Sequence, residues 1–307
     1  MPENIMVAAQ DSGKRIDAYL SGREELGLSR SYLAKLIREE AVLLNDMPVK
    51  ASTKISADDR ITLNIPAPTV LSAEAEDIPL DIVYEDQDIL IVNKPKGMVV
   101  HPAAGHLQGT LVNAVMNHCK GELSSINGVL RPGIVHRIDK NTTGLLVVCK
   151  NDKAHRSLAE QLKVHSITRK YAAIVCGNIK NDSGTVDAPL ARSKTDRKKQ
   201  AVDLLNGREA VTHYRVLERF GEYTLVECVL ETGRTHQIRV HMASIGHPVL
   251  GDDVYGPRHC AFNLEGQCLH AKVLGFIHPS TGKYVEFDSE YPAYFCRLLT
   301  HLREMRK

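Results

Sequence analysis

The chain has little net charge. Its 39 Lys and Arg against 37 Asp and Glu leave a formal +2, so the total does not announce a nucleic-acid binder, and any such affinity must come from how the charge is distributed. Its seven cysteines include no C-x-x-C pair, which signals neither a disulfide framework nor a zinc knuckle and reads as buried reduced thiols. No apolar run approaches the roughly 18 residues of a membrane span. Residues 1–14 lack the basic-then-apolar order of a signal peptide, so a cytoplasmic location is the expectation. The patterns G-x-G-x-x-G and G-x-x-x-x-G-K-[ST] are missing, which argues against the usual dinucleotide and nucleoside-triphosphate loops. Internal repeats and low-complexity tracts are missing too. What is present is an ordinary globular composition, 43% apolar and 25% charged over 307 residues, long enough for two domains with ample core.

Residues 13–65 read as one compact unit: a helix near Arg15 to Leu20, a second helix with Ser29 as N-cap, and a strand-turn-strand over Val42 to Val49. At 100° per residue, Tyr32, Leu33, Leu36 and Ile37 share one face of the second helix, while Arg30, Ser31, Lys35 and Arg38 share the other. A solvated face is the common reason for such a pattern, and nine basic against eight acidic residues between Lys14 and Ile65 do not make the unit basic. Residues 66–77, with two prolines followed by small and acidic residues, read as a flexible linker. From residue 78 to 307 short strands dominate, around Ile82, Ile89, Leu145, Tyr171, Val211, Tyr223 and Lys283. Helical patterns run over Leu111 to Cys119, Lys153 to Lys163, His236 to Ser244 and Tyr294 to Glu304. Strands follow one another without regular βαβ alternation, which predicts an α+β fold with a mixed, mainly antiparallel sheet.

The run His136-Arg137-Ile138-Asp139-Lys140-Asn141-Thr142-Thr143-Gly144 sets one carboxylate between two cations, at a polar turn before an apolar strand. Opposite charge nearby favours the carboxylate form, so Asp139 reads as an acid kept ionised for chemistry. A turn-capping Asp beside solvated cations would leave the same local trace. Arg192, Lys194, Arg197, Lys198 and Lys199 place five cations in eight residues with only Asp196 opposing, a basic loop suited to phosphates or simply to solvent.

Four segments in order decide between these readings: Asn93-Lys94-Pro95-Lys96-Gly97 with His101-Pro102; the His136–Asp139 run; Arg169-Lys170-Tyr171 before an apolar strand; and Glu231-Thr232-Gly233-Arg234-Thr235-His236-Gln237-Ile238-Arg239, continued by His247-Pro248 and Gly251-Asp252. Together they resemble the RluA-type pseudouridine synthases, above all the subgroup that modifies large-subunit ribosomal RNA and carries an N-terminal S4-like RNA-binding domain. The resemblance implies a synthase that flips uridines out of structured RNA and isomerises them without a cofactor or metal. In the S4-bearing subgroup the expected target is helix 69 of 23S rRNA, with uridines of the 1911/1915/1917 type. By the same resemblance Asp139 is the nucleophile or the electrostatic partner of the cleavage step, and Arg239 is its cation. Tyr171 supports the base and moves a proton, and Arg137 fills the gap left by the flipped nucleotide. It also suggests RNA contacts for Arg30, Lys35, Arg38 and Arg234, and for the basic loop.

Two rivals are weighed. A metal-dependent hydrolase would need converging ligands, but His101/His106 and His236/His241 are each five apart, about 140° on a helix and opposite faces on a strand. A non-catalytic RNA-binding or ribosome-assembly protein would use the first unit and the basic loop alone. Within the enzyme reading, a tRNA or another rRNA site is the alternative target, and a monomer without membrane contact is expected.

Overall fold

The computed structural model describes residues 3–23, 26, 28, 30–64, 73–102, 106–128, 131–197 and 199–305. The chain divides into two compact units, Met1–Val70 and Leu71–Lys307.

In the first unit, α1 (Ile16–Ser21) and α2 (Arg30–Arg38) pack on an antiparallel sheet of order β1-β4-β2-β3, formed by β1 (Glu3–Met6), β2 (Val42–Leu44), β3 (Met47–Pro48) and β4 (Arg60–Leu63). The apolar stripe of α2 turns inward as its periodicity dictates: Leu33, Leu36 and Ile37 join Ile16, Leu20, Ile61 and Leu63 in one core. Cutting Leu36 back to Ala would cost about 2–5 kcal/mol, transfer energy plus cavity. Asn45 and Asp46 both take positive φ (50° and 66°), the left-handed pair that closes a tight β2–β3 hairpin. Ser29, named as N-cap, lies outside the described residues. Strands β1 and β4 carry too little alternation to be read in isolation, and only their pairing in register Ile5↔Ile61 makes them a sheet.

The second unit is built on a nine-stranded sheet. Its strands are β5 (Ile82–Glu85), β6 (Ile89–Lys94), β7 (Thr143–Cys149), β8 (Thr168–Cys176), β9 (Ser183–Asp187), β12 (Val211–Arg219), β13 (Tyr223–Leu230), β14 (Leu269–Ile277) and β15 (Tyr284–Asp288). The order is β5-β6-β7-β14-β8-β13-β12-β9, with β15 on β14. Every pairing is antiparallel except the short β7–β14 one, so the mixed, mainly antiparallel α+β architecture holds. A separate two-stranded hairpin joins β10 (Leu190–Arg192) to β11 (Gln200–Val202).

Strict alternation along β6 and β7 sends side chains to two cores. Leu90, Val92, Leu146 and Val148 pack with Leu111, Val112 and Val115 of α3 (Leu111–Cys119), whereas Ile89, Ile91, Leu145 and Val147 pack with Ala154 and Leu158 of α4 (Asp152–Lys163). Further along the sheet, Tyr171 and Ala173 face Ile238 and Met242 of α5 (Gln237–Ser244). Ala172 and Ile174 face Phe295, Leu298 and Leu302 of α6 (Ala293–Met305). Helices thus cover both faces, and Tyr171 and α5 share one of them.

Two expectations need adjustment. The central strand β14 is not legible beforehand, because His270, Lys272 and Gly275 interrupt its apolar residues; β7 and β8 on either side make it a strand. Residues 73–77, read as the end of a flexible tether, are held to the larger unit: Ala73 is buried, Asn113 Nδ2 donates to the Glu74 carbonyl at 2.7 Å, and Glu76 N–H donates to the Asn113 carbonyl at 3.0 Å.

Candidate active site

Asp139 stands on the turn that enters β7. Thr142 N–H donates to its carbonyl at 3.0 Å, and the next carbonyl, of Lys140, accepts from Gly97 N–H and from the buried Lys94 Nζ, both at 3.0 Å. Five residues after Asp139, Gly144 at φ 110° opens the β7–β14 pairing, where a Cβ would lie 2.2 Å from the Ala271 carbonyl oxygen; only glycine fits. The turn is therefore pinned at both ends.

The carboxylate's cation comes from 100 residues away. Arg239 Nη1 donates to Asp139 Oδ2 at 3.0 Å. The rest of the guanidinium fork grips Asp252, with Nε to Oδ2 at 2.6 Å and Nη2 to Oδ1 at 2.9 Å. Arg137 and Lys140, which flank Asp139 in sequence, are exposed and form no ion pair with it among the described residues. The flanking cations expected from the sequence do not make the contact: in a turn, neighbours project away from one another, and a helix arginine supplies it. Burial pushes the Asp252 carboxyl upward, but Arg239 and the N–H groups of Tyr255 and Val254 outweigh it and hold the group below the usual carboxylate range. Burial opposes the charge on Arg239 as well, and the two carboxylates reverse that, leaving the guanidinium firmly protonated.

Tyr171 lies on β8, facing the same space, with 9% of its surface exposed. Burial pushes its phenol up to about 12; Arg169 works against that and Asp139 adds to it. At neutral pH it is a proton donor. Arg169, two residues earlier on the same strand face, donates through Nη2 to the Glu231 carbonyl at 2.8 Å and sits where a Cβ on Gly233 would come within 2.5 Å of Nη1. His136 Nε2 accepts the Val147 N–H at 3.1 Å, so the ring proton of the neutral imidazole is on Nδ1. Burial and then Arg169 push His136 down to about 3.

The loop before α5 is shaped by Gln237, a buried hub. Its Oε1 accepts from Thr232 Oγ1 at 2.8 Å and Arg234 N–H at 2.9 Å, while its Nε2 donates to the Val211 carbonyl at 2.9 Å. The result is a cleft of about 530 Å³ lined by Arg137, Asp139, Arg169, Tyr171, Arg234 and Arg239, a size suited to a small ligand or a nucleotide.

Residues 88–244 match the RNA pseudouridylate synthase family. The chain is 53% identical over 301 residues to the RNA pseudouridine synthase YlyB of Bacillus subtilis, covering 98% of each chain. The chain belongs to that family. This pseudouridine synthase is also 50% identical over 304 residues, 94% of each chain, to the ribosomal large subunit pseudouridine synthase D of Zymomonas mobilis. Its fold matches the solved human RNA pseudouridylate synthase domain containing 1 at a TM-score of 0.58 and 25% identity, over 75% of this chain and 96% of that one. It is accordingly an isomerase, and three of the four family-like segments, those around Asp139, Tyr171 and Arg239, line the cleft.

Of the residues singled out from sequence, the fold of the synthase brings Asp139, Tyr171, Arg239, Arg137 and Arg234 into one cleft. Arg234 is tied by Nε to the Glu209 carbonyl at 2.8 Å. Arg192, Lys194, Arg197 and Lys199 sit on the β10–β11 hairpin, Lys194 within 3.7 Å of Asp203; Lys198 lies outside the described residues. On α2, Arg30 is engaged by Asp17 at 3.1 Å and Lys35 approaches Glu39 at 3.8 Å, while Arg38 is exposed. His236 and His241 do not converge: His236 lines the cleft, and His241 is spent on Thr212 and the Ala188 carbonyl. Sequence reasoning gave no role to Asp252, Gln237 or His236, although each lies inside a quoted segment. Only their contacts single them out.

Proposed function

We infer that this synthase converts uridines of large-subunit ribosomal RNA to pseudouridine, with helix 69 of 23S rRNA as its target and Asp139 as the reacting carboxylate. One observation carries the site assignment: a carboxylate held on one oxygen by Arg239 at 3.0 Å, sharing a cleft with a protonated Tyr171 phenol. The name of the Zymomonas relative supports the rRNA class. The reaction breaks the N1–C1′ bond, turns the uracil, forms a C5–C1′ bond, loses the C5 proton and gains a proton on N1, with no redox change. Attack at C1′, attack at C6 and a glycal route all use an ionised carboxylate, and Arg239 engages Oδ2 of Asp139 while leaving Oδ1 without a donor at hydrogen-bond distance.

Each remaining residue takes a role from its position. A stacked uridine hides the atoms being exchanged, so the nucleotide must leave the helix, and exposed Arg137 at the mouth of the cleft is placed to stack in its stead. Tyr171 supports the flipped base with its ring and delivers a proton from its hydroxyl. The cations of the β10–β11 hairpin hold phosphates, and residues 13–65 act as an S4-like module that grips structured RNA through α2. Mapping of pseudouridine in rRNA from cells with the wild-type protein and with Asp139→Asn tests this. Loss of modified uridines in helix 69 is expected; an unchanged rRNA map, or turnover by folded Asp139→Asn, overturns the target or the mechanism respectively.

A further inference from the structure

His236 caps α5 in the left-handed backbone region, φ 58° and ψ 19°, which is strained for a non-glycine residue and persists where surrounding contacts enforce it. Two ring contacts do so. Nδ1 lies 2.8 Å from the Tyr255 hydroxyl, and Nε2 lies 3.8 Å from Asp139 Oδ1. The Tyr255 oxygen already accepts the Gln200 N–H at 2.8 Å, so its single proton is free to point at Nδ1. With Nδ1 accepting, the ring proton is on Nε2 and faces the carboxylate. The opposite tautomer would set a lone pair against a charged oxygen. Asp139 thus has Oδ2 fixed by Arg239 and Oδ1 facing a donor that stops short of hydrogen-bond distance.

We propose that His236 is a positioning residue for Asp139: its Nε2–H closes on Oδ1 when RNA enters the cleft, and with Arg239 on Oδ2 it fixes the plane of the carboxylate toward the ribose and base. Tyr255 sets the tautomer and ties this donor to β11 of the basic hairpin, through Gln200. The proposal rests on Asp139 being the reacting carboxylate. A gap of 3.8 Å is too long for a direct bond, and catalytic hydrogen bonds commonly tighten only in the substrate complex. The groups facing the ring are Asp139 and Arg137 from the turn before β7, Arg239 on α5, and Asp252 and Tyr255 from the segment after it. Burial lowers the imidazole most; Asp139 and Asp252 oppose this, while Arg239 and Arg137 add to it, and the ring is neutral at pH 7.

The test uses full-length protein, a helix 69 RNA stem-loop and single-turnover kinetics at saturating RNA, with Asp139→Asn alongside. His236→Leu keeps bulk but removes the donor, and its rate is expected to fall by roughly 10–10²-fold, the scale of a misplaced reacting group, with the RNA Kd within about twofold of wild type. His236→Gln restores an N–H near the Nε2 position and is expected to recover a substantial part of that loss. Tyr255→Phe leaves the ring in place but removes the donor to Nδ1, so the ring proton is no longer held on Nε2 and the single-turnover rate is expected to fall toward that of His236→Leu with RNA binding unchanged. Equal losses in the Leu and Gln variants, or normal rates in both, overturn the proposal. If neither His236 variant folds, a normal single-turnover rate in Tyr255→Phe overturns it. Turnover by Asp139→Asn would instead sink the underlying assignment, whereas an inactive Asp139→Asn beside a normal His236→Leu sinks this inference alone.

Discussion

Replacing Asp252 by Asn keeps the shape of the side chain and removes its charge, which isolates what this buried carboxylate does for Arg239. Asp252 takes two of the three hydrogen bonds that the guanidinium makes to carboxylates, at 2.6 and 2.9 Å, and its side chain is fully buried. An amide can accept only one of these, and its NH2 would meet an N–H of Arg239, donor against donor. Removing one partner of a buried ion pair costs about 3–5 kcal/mol, because the other charge is left without compensation. At about 2–4 °C per kcal/mol for a domain of this size, the melting temperature should fall by roughly 6–20 °C. The pH dependence has a fixed sign. Because the folded-state carboxyl titrates below the usual range, its stabilisation is complete above the unfolded value near 3.8 and is lost as pH falls through the lower folded value. Melting curves of wild type and Asp252→Asn should therefore differ at pH 7 and converge only as pH falls through that lower folded value. With one anchor gone, Arg239 can also swing from Asp139, and single-turnover rates should drop. A variant within about 1 kcal/mol of wild type at pH 7 would refute the claim that this pair fixes the arginine.

Tyr171→Phe keeps the ring and deletes the hydroxyl; if the phenol moves a proton in the slow step, single-turnover formation of pseudouridine should fall by roughly 10²–10⁴-fold with RNA binding intact, and a normal rate would leave stacking as its sole role. His136 is neutral in the fold down to about pH 3 yet titrates near 6.5 when unfolded, so it lends stability above that value that declines as pH falls from about 6.5 toward 3. His136→Gln, which still accepts the Val147 N–H, should lose less stability than wild type between pH 7 and 5 in urea titrations; parallel losses would refute this. Replacing Arg197, Lys198 and Lys199 by Gln should weaken RNA binding and flatten its dependence on salt, since fewer counterions are released, and an unchanged slope would make the hairpin a solvated loop.

The sequence by itself determined what depends on neighbours along the chain. The stripe of Leu33, Leu36 and Ile37 had to face inward at helical period, and the alternation in β6 and β7 had to bury both strand faces. Ordered segments around Asp139, Tyr171 and Arg239 likewise pointed to one family and to one set of residues. Tertiary structure decided everything that required distant groups to meet. Strand β14 exists because β7 and β8 pair with it, whatever its own mixed pattern suggests. Asp139 is met by Arg239, 100 positions away, and not by its flanking cations, because a turn splays neighbours while a helix packed on the sheet aims one side chain at a fixed point. Asp252, Gln237 and the Tyr255–His236 contact carry no local signature. Hydrogen-bond geometry is set only once the chain has closed, so residues whose work is to hold other residues in place stay silent in sequence and become visible in the fold.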